Sequence, residues 1–255
     1  MENVERQVNE AADVALTNAM YRHTFGIVGD GGSGHMGRGV GTGVGVFWNG
    51  TFLILTAAHT VQTTPNEQLF FLLPHDSVVF QGSSIYSQTP PCNVSMRVQL
   101  ESQQSFLDDK NDLAAFVLPE QTEEKAKRHF YLLGDSHTTP QAARQIGFLG
   151  YPGATRRPVG LNFMATPYSS FGKMVAVPED CNPDSQIAIS YPASCSVDPH
   201  GLSGSGLWIS GSSSGALWTP GISLVGLVTH FDPKPQILLG LRVEELVSFL
   251  KANFP

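Results

Sequence analysis

Short apolar runs recur along most of the chain, and clusters of Pro, Gly, Asn and Ser separate them. This spacing is typical of the strands of a β-barrel. The strongest local signal is Asn49-Gly50 between GVGVFW and TFLILTAAH, because Asn-Gly between two β-rich runs favours a tight hairpin turn. The other predicted strands are QLFFLL, DSVVF, NVSMRVQL, LAAFVL, RQIGFLGY, QIAISY, GSGLWIS and SLVGLVTHF.

Both ends of the chain have apolar residues at helical spacing instead. Within residues 4–20 this spacing predicts a short amphipathic helix, and the residues that carry it are Val4, Val8, Ala11 and Ala15. In RVEELVSFLKANF the apolar side chains fall on one helical face and predict a closing helix. These residues are Val243, Leu246, Val247, Leu250 and Phe254. The most polar stretch, residues 121–130, is the predicted connection between two halves.

Composition agrees with this pattern and narrows the classes of function. The 255 residues include 26 glycines and 17 prolines but only 15% charged residues, as expected for short strands joined by tight turns. The 41% of hydrophobic residues suffices for a sizeable core. A net charge of −7 gives no electrostatic case for binding nucleic acid. No segment has the roughly 20 apolar residues that a membrane-spanning helix needs.

The cysteines and the first residues indicate a cytoplasmic protein. Residues 1–22 lack a basic region followed by an apolar one, so they do not look like a secretory signal. The three cysteines, at 92, 181 and 195, are odd in number and scattered along the chain, which is typical of a protein from a reducing compartment. A Cys181–Cys195 disulfide stays open as an alternative. His and Cys do not cluster at metal-ligand spacing, so neither a metal nor another cofactor is expected.

Three short segments carry the residue types that acyl transfer from a peptide requires: a nucleophile, a base and a carboxylate that orients the base. His59 follows the strand-like TFLILTAA, Asp112 opens the run LAAFVL, and Ser203 lies among glycines in PHGLSGSGLW. Glycine allows the backbone of such a loop to turn its N–H groups inward. Each segment alone is also compatible with a structural role, so the argument depends on finding all three in one chain.

Together these segments resemble the motifs of the chymotrypsin-like (trypsin-fold) serine proteases. TAAH is similar to the histidine motif of that family, DLA to its aspartate motif and GLSGS to its Gly-x-Ser-Gly loop, and the order His, Asp, Ser is also the same. FLGYP is similar to a step common in bacterial members, and LVGLVT to the strand that lines the substrate cleft. The resemblance covers about residues 24–254 and points to a bacterial-type intracellular trypsin-like peptidase.

The resemblance implies an all-β fold of two six-stranded antiparallel β-barrels with a C-terminal helix and a short N-terminal helix. It places the N-terminal barrel, with the histidine and the aspartate, in residues 23–130 and the C-terminal barrel, with the serine, in residues 131–241. Residues 1–22 are then an N-terminal helical extension, and residues 242–255 form the C-terminal helix of a single protease unit.

The roles of the family then transfer to the matching residues. The Ser203 hydroxyl is expected to attack the scissile carbonyl, His59 to take its proton, and Asp112 to orient His59. The backbone N–H groups of Gly201 and Ser203 are the expected oxyanion hole. Thr229 stands where the family has a serine beside the buried aspartate, so its hydroxyl is expected to bond Asp112.

The substrate pocket departs from the family pattern. Leu202 replaces the acidic residue that pairs with a new N-terminus in many secreted members, so activation by that route is not expected. Phe231 stands where the family often has a glycine, which favours a small or medium apolar substrate side chain; Asp198 would instead select a basic one, unless it is a turn residue. The candidate pocket residues are Val197, Asp198, His200, Thr229, His230 and Phe231.

Several alternatives stay open. Asp108 and Asp109 are rivals for the acid, and Ser205 is a rival nucleophile. GSGHMG at residues 32–37 fits a dinucleotide fingerprint only formally, since no helix pattern follows it. The expected function is a serine endopeptidase acting on a polypeptide. The alternatives are a latent protease that needs a protein activator, with residues 1–20 as a docking element, and a catalytically silent module that binds peptide or a regulatory partner.

Overall fold

The computed structural model describes residues 2–29, 38–65, 68–74, 97–99, 105–118, 124–135, 140, 145–153, 156–159, 162–192, 197–211 and 221–255. The predicted strand DSVVF and the segment GSGHMG lie outside these ranges. Of NVSMRVQL, only residues 97–99 are described. None of the described helices is long and apolar enough to cross a membrane.

Strands dominate the described chain, with helices mainly at its two ends. The elements are α1 (Glu2–Arg22), β1 (Thr24–Gly29), β2 (Arg38–Trp48), β3 (Thr51–Ala57), α2 (Ala58–Val61), β4 (Leu69–Leu72), β5 (Arg97–Gln99), β6 (Ser105–Asp108), β7 (Leu113–Val117), α3 (Glu124–Lys127), β8 (Tyr131–Leu132), β9 (Gln145–Gly150), β10 (Arg156–Val159), β11 (Asn162–Ala165), β12 (Tyr168–Val175), β13 (Gln186–Ser190), β14 (Gly206–Gly211), β15 (Gly221–Asp232), β16 (Ile237–Arg242) and α4 (Val243–Asn253).

The first sheet is a curled antiparallel sheet. Its order is β5-β4-β1-β2-β3-β7-β6, and β8 adds to β2 in parallel, so the sheet extends to Leu132. The predicted Asn49-Gly50 hairpin is confirmed, because Trp48 pairs with Thr51 and the two turn residues have φ of 41° and 83°. Positive φ at both central positions belongs to the type I′ turn, whose twist matches that of the flanking strands.

The second sheet closes into a barrel of six strands in the order β12-β13-β16-β15-β14-β9. Closure leaves no exposed strand edge. Its interior is filled by apolar side chains, among them Phe148, Ile187, Leu207, Val225 and Leu238. The expected architecture of two antiparallel β-barrel units is confirmed, with a closed second barrel and a first unit that the described strands form as a curled sheet.

The N-terminal helix is confirmed, and half of it belongs to the core. Leu16, Met20 and Tyr21 of α1 are buried, and Met20 packs so closely against β9 that its sulfur lies 2.9 Å from where a Cβ on Gly147 would stand. The C-terminal half of α1 therefore covers the second barrel. This packing does not suit a free docking element, because removing the helix would expose apolar core surface to water.

The C-terminal helix is also confirmed, and it joins the two sheets. Leu246 and Leu250 of α4 are buried in a cluster that contains residues of both sheets. Beyond the helix, Phe254 O accepts a 3.0 Å hydrogen bond from Trp48 Nε1 at the end of β2. One apolar cluster thus joins the two sheets, in addition to the cluster that each sheet has of its own.

Candidate active site

The register of β3 and β7 brings His59 and Asp112 together. Ala57 pairs with Leu113 at the ends of the two strands, so the residues just beyond that pair lie side by side. The chain then bends into the single-turn helix α2, in which His59 is the second residue. The Ala58 N–H donates to Asp112 O at 3.0 Å, which continues the pairing by one step.

Asp112 holds the histidine residue at two points. Its Oδ1 accepts a 2.8 Å hydrogen bond from the backbone N–H of His59, and its Oδ2 lies 2.7 Å from Nδ1 of the ring. An ionised carboxylate can only accept, so Nδ1 carries the proton and Nε2 keeps its lone pair when the ring is neutral. The imidazole is therefore held in the tautomer that acts as a base at Nε2.

The same contact sets the protonation of the ring. The Asp112 hydrogen bond raises the pKa of His59 above 6.5, partial burial opposes this rise, and the negative charge of Asp112 adds to it. The imidazole is 50% exposed, so solvent and a ligand can reach it. His59 is thus an accessible base that becomes neutral only at a higher pH than a free histidine does.

The conformation of Asp112 is unusual, and its loop supports it. Its φ of 52° lies in the left-handed region, which costs most L-residues roughly 1–2 kcal/mol. At the start of the loop, Asp108 Oδ1 accepts from the N–H groups of Lys110 and Asn111 at 3.1 Å and 3.2 Å, and Oδ2 accepts from Asn111 Nδ2 at 2.7 Å. Asp108 therefore closes the loop that turns Asp112 toward the histidine.

The rival residues lie away from the imidazole. Asp108 bonds within its own loop, and Asp109 accepts from Gln62 Nε2 at 2.7 Å; in the described part of the chain it is Asp112 that bonds the His59 ring. Ser205 is fully buried, and its hydroxyl has no hydrogen-bond partner among the described residues. A hydroxyl without solvent exposure cannot meet a polypeptide substrate.

Two successive β-turns, Pro199–Leu202 and Leu202–Ser205, form the loop around Ser203. Each closes through a 2.9 Å hydrogen bond from the N–H of its fourth residue to the carbonyl of its first. The third residue is a glycine in both turns, with φ of 93° at Gly201 and 88° at Gly204, whereas the second residue has no positive φ. These are type II turns, whose third position favours glycine.

This loop packs against the end of the first sheet beside the histidine. The Thr42 N–H on β2 donates to Ser203 O at 3.1 Å. A Cβ on Gly204 would collide with Thr42 O and with the hydroxyl of Thr56. Thr56 lies three residues before His59 on β3, so the close contact at Gly204 brings the serine loop to the strand end that carries the histidine.

The candidate oxyanion donors are the N–H groups of Gly201 and Ser203. In each of these two peptides the carbonyl, which points away from the N–H, accepts a hydrogen bond from another part of the chain. The carbonyl of the peptide before Gly201 accepts from Gly153 N–H at 2.6 Å, and that of the peptide before Ser203 accepts from Ser205 N–H at 2.9 Å. In a planar trans peptide the C=O and N–H bonds point in opposite directions. The N–H of Ser203, directed away from its own turn, has no acceptor within the described part of the chain.

The Ser203 hydroxyl donates to Thr229 O at 3.3 Å. Thr229 is the extra residue of a β-bulge, since its neighbours on either side pair with β16 and it does not. A bulge turns a carbonyl out of the ladder, here toward the serine. Among the described residues, no hydrogen bond joins the Ser203 hydroxyl to His59. The hydroxyl proton therefore has to leave Thr229 O before it can pass to His59.

The expectation that the Thr229 hydroxyl bonds Asp112 is wrong. Thr229 is buried, and its Oγ1 donates to Leu239 O at 3.4 Å inside the second barrel. The bulge that turns the Thr229 carbonyl toward Ser203 directs its side chain toward β16. Thr229 therefore reaches the candidate site through its backbone carbonyl.

An aromatic pair lies at the candidate pocket. The rings of Tyr191 and Phe231 are nearly perpendicular with centroids 5.4 Å apart, and the Tyr191 hydroxyl donates to Val197 O at 2.7 Å. Phe231 and Val197 were predicted from the resemblance. Tyr191 was missed, because no sequence feature distinguishes it from the other tyrosines. Leu202 of the serine loop belongs to the same apolar cluster as this pair.

The remaining pocket candidates point to solvent. Asp198 Oδ1 accepts from His200 N–H at 3.0 Å, which makes Asp198 a turn residue. The side chains of Asp198 and His200 are 65% and 94% exposed, and His230 is exposed as well. The Cys181 thiol is free, whereas the other two cysteines lie outside the described residues. No group of three His, Cys, Asp or Glu within the described ranges could hold a metal ion.

No protein-family model matches the chain, and no curated protein does either. Among solved structures, the chain is similar to the crystal structure of the scabies mite inactivated protease paralogue S-I1, with 15% sequence identity and a TM-score of 0.59. The similarity covers 92% of this chain and 96% of that one. At this identity the likeness shows the fold alone, and it confirms the predicted chymotrypsin-like fold. No comparison bears on the bacterial, intracellular type that the motifs suggest.

Proposed function

We propose that this protein is a serine endopeptidase that hydrolyses polypeptides through an acyl-enzyme. The observation that carries the proposal is the contact of both Asp112 oxygens with His59, at a strand end against which the Ser203 loop packs. A histidine that served only the core would be buried with both ring nitrogens bonded. Here half of the ring is exposed, and the described residues provide no hydrogen bond to Nε2.

In the proposed reaction, Ser203 Oγ attacks the carbonyl carbon of the scissile peptide while its proton passes to His59 Nε2. Asp112 stabilises the imidazolium that forms. The N–H groups of Gly201 and Ser203 bind the oxygen that becomes negative, and losing such a donor slows catalysis by about 10²–10³. The imidazolium then returns the proton to the leaving amine, the C–N bond breaks, and water hydrolyses the ester by the same steps.

Thr229 O has two roles in this proposal. At rest it accepts the Ser203 hydroxyl at 3.3 Å. When that hydroxyl turns to His59, the carbonyl is released in a bulge beside the nucleophile, where it can accept an N–H from an extended substrate. Substrate binding at Thr229 O and activation of the serine would then favour each other, because both require the resting hydrogen bond to break.

The same hydrogen bond supports a second candidate, a trypsin-like module that is latent or catalytically silent. A serine that bonds a carbonyl instead of the histidine is not poised for attack. The structurally similar mite protein is described as an inactivated paralogue. In the latent version a partner protein would turn Ser203 toward His59, and in the silent version the cleft would bind a peptide or regulatory partner without cleaving it.

A peptide-cleavage assay separates these candidates. The purified chain is incubated with a diverse peptide mixture, and new termini are read by mass spectrometry. The proposal predicts cleavage that Ser203→Ala reduces by about 10⁶, whereas Ser205→Ala, a change of the same chemistry two residues away, retains it. Loss of cleavage in Ser205→Ala alone would contradict the assignment of Ser203. Peptide binding without cleavage would support the silent module.

A further inference from the structure

We infer that Thr42 is a positioning residue that holds the serine loop in its oxyanion-binding conformation from the first sheet. The inference rests on the proposed function and adds a residue of β2 to a site otherwise assigned to β3, β7 and the second barrel. Sequence reasoning missed Thr42 because it is one threonine in the glycine-rich stretch GRGVGTGVGV, without a partner nearby in the chain.

The backbone of Thr42 joins the two halves of the site. Its N–H donates to Ser203 O at 3.1 Å. Its carbonyl accepts a 2.6 Å hydrogen bond from the Thr56 hydroxyl and lies where a Cβ on Gly204 would collide with it. Thr42 therefore contacts the serine loop on one side and, through Thr56, the strand that leads to His59 on the other.

The side chain makes a more specific contact. Oγ1 donates to Gly201 O at 2.8 Å and accepts from Tyr151 N–H at 2.9 Å. A carbonyl oxygen can only accept and an N–H can only donate, so the hydroxyl proton is directed to Gly201 O. Thr42 is fully buried, so water does not compete for either contact. A buried hydroxyl with both partners in place holds its neighbours in one geometry.

This contact matters because it acts on a glycine. The peptide before Gly201 is held by its carbonyl on Gly153 N–H at 2.6 Å. The peptide after it is held by its carbonyl on the Thr42 hydroxyl and by its N–H, that of Leu202, on Pro199 O. With both flanking peptides held, φ and ψ of Gly201 are determined, although glycine by itself has wide freedom. The Gly201 N–H, one of the two candidate oxyanion donors, belongs to the peptide that Gly153 holds. Thr42 supports its direction from the other side of Gly201, by holding the peptide that follows.

The test compares Thr42→Val, which keeps the shape and removes the hydroxyl, with Thr42→Ser, which keeps the hydroxyl. Thr24→Val is the matched control, because Thr24 is also fully buried and donates its hydroxyl to a backbone carbonyl, that of Met20 at 2.9 Å, which is not part of the serine loop. The measurement is the saturation kinetics of a fluorophosphonate probe, which separate binding of the probe from its reaction with Ser203.

Thr42→Val is expected to lower the maximal labelling rate by about 10², as for the loss of an oxyanion donor, with little change in the probe concentration at half saturation. Thr42→Ser should recover most of the rate, and Thr24→Val should keep it. Equal maximal rates in Thr42→Val and Thr24→Val would overturn the inference. If Thr42→Val does not fold, Thr42→Cys, whose thiol is only a weak donor, carries the comparison, and its maximal labelling rate should lie clearly below that of Thr42→Ser.

A second measurement separates this inference from the proposed function. Amide hydrogen exchange at Leu202, whose N–H closes the turn on Pro199 O at 2.9 Å, does not require catalysis. Thr42→Val should speed this exchange by about tenfold, and Thr24→Val should not. If the wild type shows no labelling, the proposed function fails, and the exchange rates alone decide whether Thr42 holds the loop. Unchanged exchange at Leu202 would overturn the inference.

Discussion

Asp112 contacts both the backbone N–H and the imidazole Nδ1 of His59, at 2.8 Å and 2.7 Å. One carboxylate thus fixes the main chain at the histidine and the direction of its ring. Both contacts follow from the pairing of Ala57 with Leu113, so the register of two strands sets the geometry of the base. Changes at Asp112 should therefore affect the protonation of His59 and the reactivity of Ser203 together.

The rate at which Ser203 reacts should follow the protonation of His59. Because His59 must be neutral to accept a proton and Asp112 raises its pKa above 6.5, the rate should fall as the pH drops through that raised pKa and level off above it. In Asp112→Asn the charge is gone, so the His59 pKa should move down toward 6.5 while the rate falls by about 10⁴. Labelling rates against pH, with an NMR titration of the imidazole, measure both. An unchanged His59 pKa in Asp112→Asn would contradict the account.

Asp108 should matter more than its neighbour Asp109, although neither contacts the histidine. Asp108 accepts three hydrogen bonds within the loop that holds Asp112, whereas Asp109 accepts one from exposed Gln62. Asp108→Ala should lower the free energy of unfolding by about 1–3 kcal/mol and lower the His59 pKa, because the Asp112 contact loosens.

Asp109→Ala removes the same charge one residue away and serves as the control, with a change in stability within about 0.5 kcal/mol. Asp108→Asn keeps an acceptor for the two backbone N–H groups and should lie close to the wild type. Urea unfolding and the imidazole titration provide the readouts. Equal effects of Asp108→Ala and Asp109→Ala on the His59 pKa would show that charge, and not loop geometry, is responsible.

His23 should make the fold sensitive to acid. Its ring packs between Tyr131 and Trp208 at centroid distances of 5.7 Å and 5.8 Å, and its Nδ1–H donates to His129 O at 3.1 Å. Burial lowers the pKa of His23 to about 4; the hydrogen bond to His129 O opposes this, and the charges of His129 and Arg22 add smaller decreases. Between pH 6.5 and about 4 the unfolded chain binds a proton that the folded chain does not. The free energy of unfolding should therefore fall over this range, by at most roughly 3 kcal/mol.

Replacing His23 isolates this contribution. His23→Asn should reduce the difference in unfolding free energy between about pH 7.5 and pH 4.5, whereas His200→Asn, at a side chain that is 94% exposed, should leave it unchanged. Urea denaturation at the two pH values measures the difference. The account of His23 fails if the wild type and His23→Asn lose the same stability on acidification.

The Tyr191–Phe231 pair should restrict the substrate side chain. We expect the wild type to cleave after small or medium apolar residues, since Phe231 packs on Tyr191 at 5.4 Å beside the serine loop. Phe231→Ala should raise kcat/KM for peptides with Leu or Phe at that position by about tenfold or more. Asp198→Asn, which keeps the turn acceptor, should change no preference. A preference for Arg or Lys that Asp198→Asn abolishes would show instead that Asp198 selects the substrate.

Local signals in the sequence predicted the Asn49-Gly50 turn and the two terminal helices, and the resemblance of three short segments to family motifs predicted the site of His59, Asp112 and Ser203. These features depend on a few neighbouring residues, so a single sequence can show them. Three others depend on packing between distant segments. The Thr229 hydroxyl points to Leu239 because of a bulge that leaves no sequence signal. Tyr191 meets Phe231 from a segment 40 residues earlier in the chain, and Thr42 meets Gly201 across 159 residues.

The packing of α1 is another contact between distant segments that the sequence did not show. Its helical spacing was visible, but the burial of Met20 against Gly147 was not, because that contact joins segments more than a hundred residues apart. Because α1 lies outside the family motifs, the sequence alone made it look like an extension that could be removed. In the fold, its second half is part of the core that holds the second barrel.

The most direct test of the central claim is the intact mass of the protein after reaction with a fluorophosphonate. A competent Ser203 displaces fluoride at phosphorus, forming an Oγ–P bond while His59 takes the hydroxyl proton. The account predicts one added phosphonyl group per chain, lost in Ser203→Ala, strongly slowed in His59→Ala and retained in Ser205→Ala. Labelling that persists in Ser203→Ala would contradict the assignment of the nucleophile. No labelling of the wild type would contradict the proposed activity of the isolated chain and favour the latent or silent module.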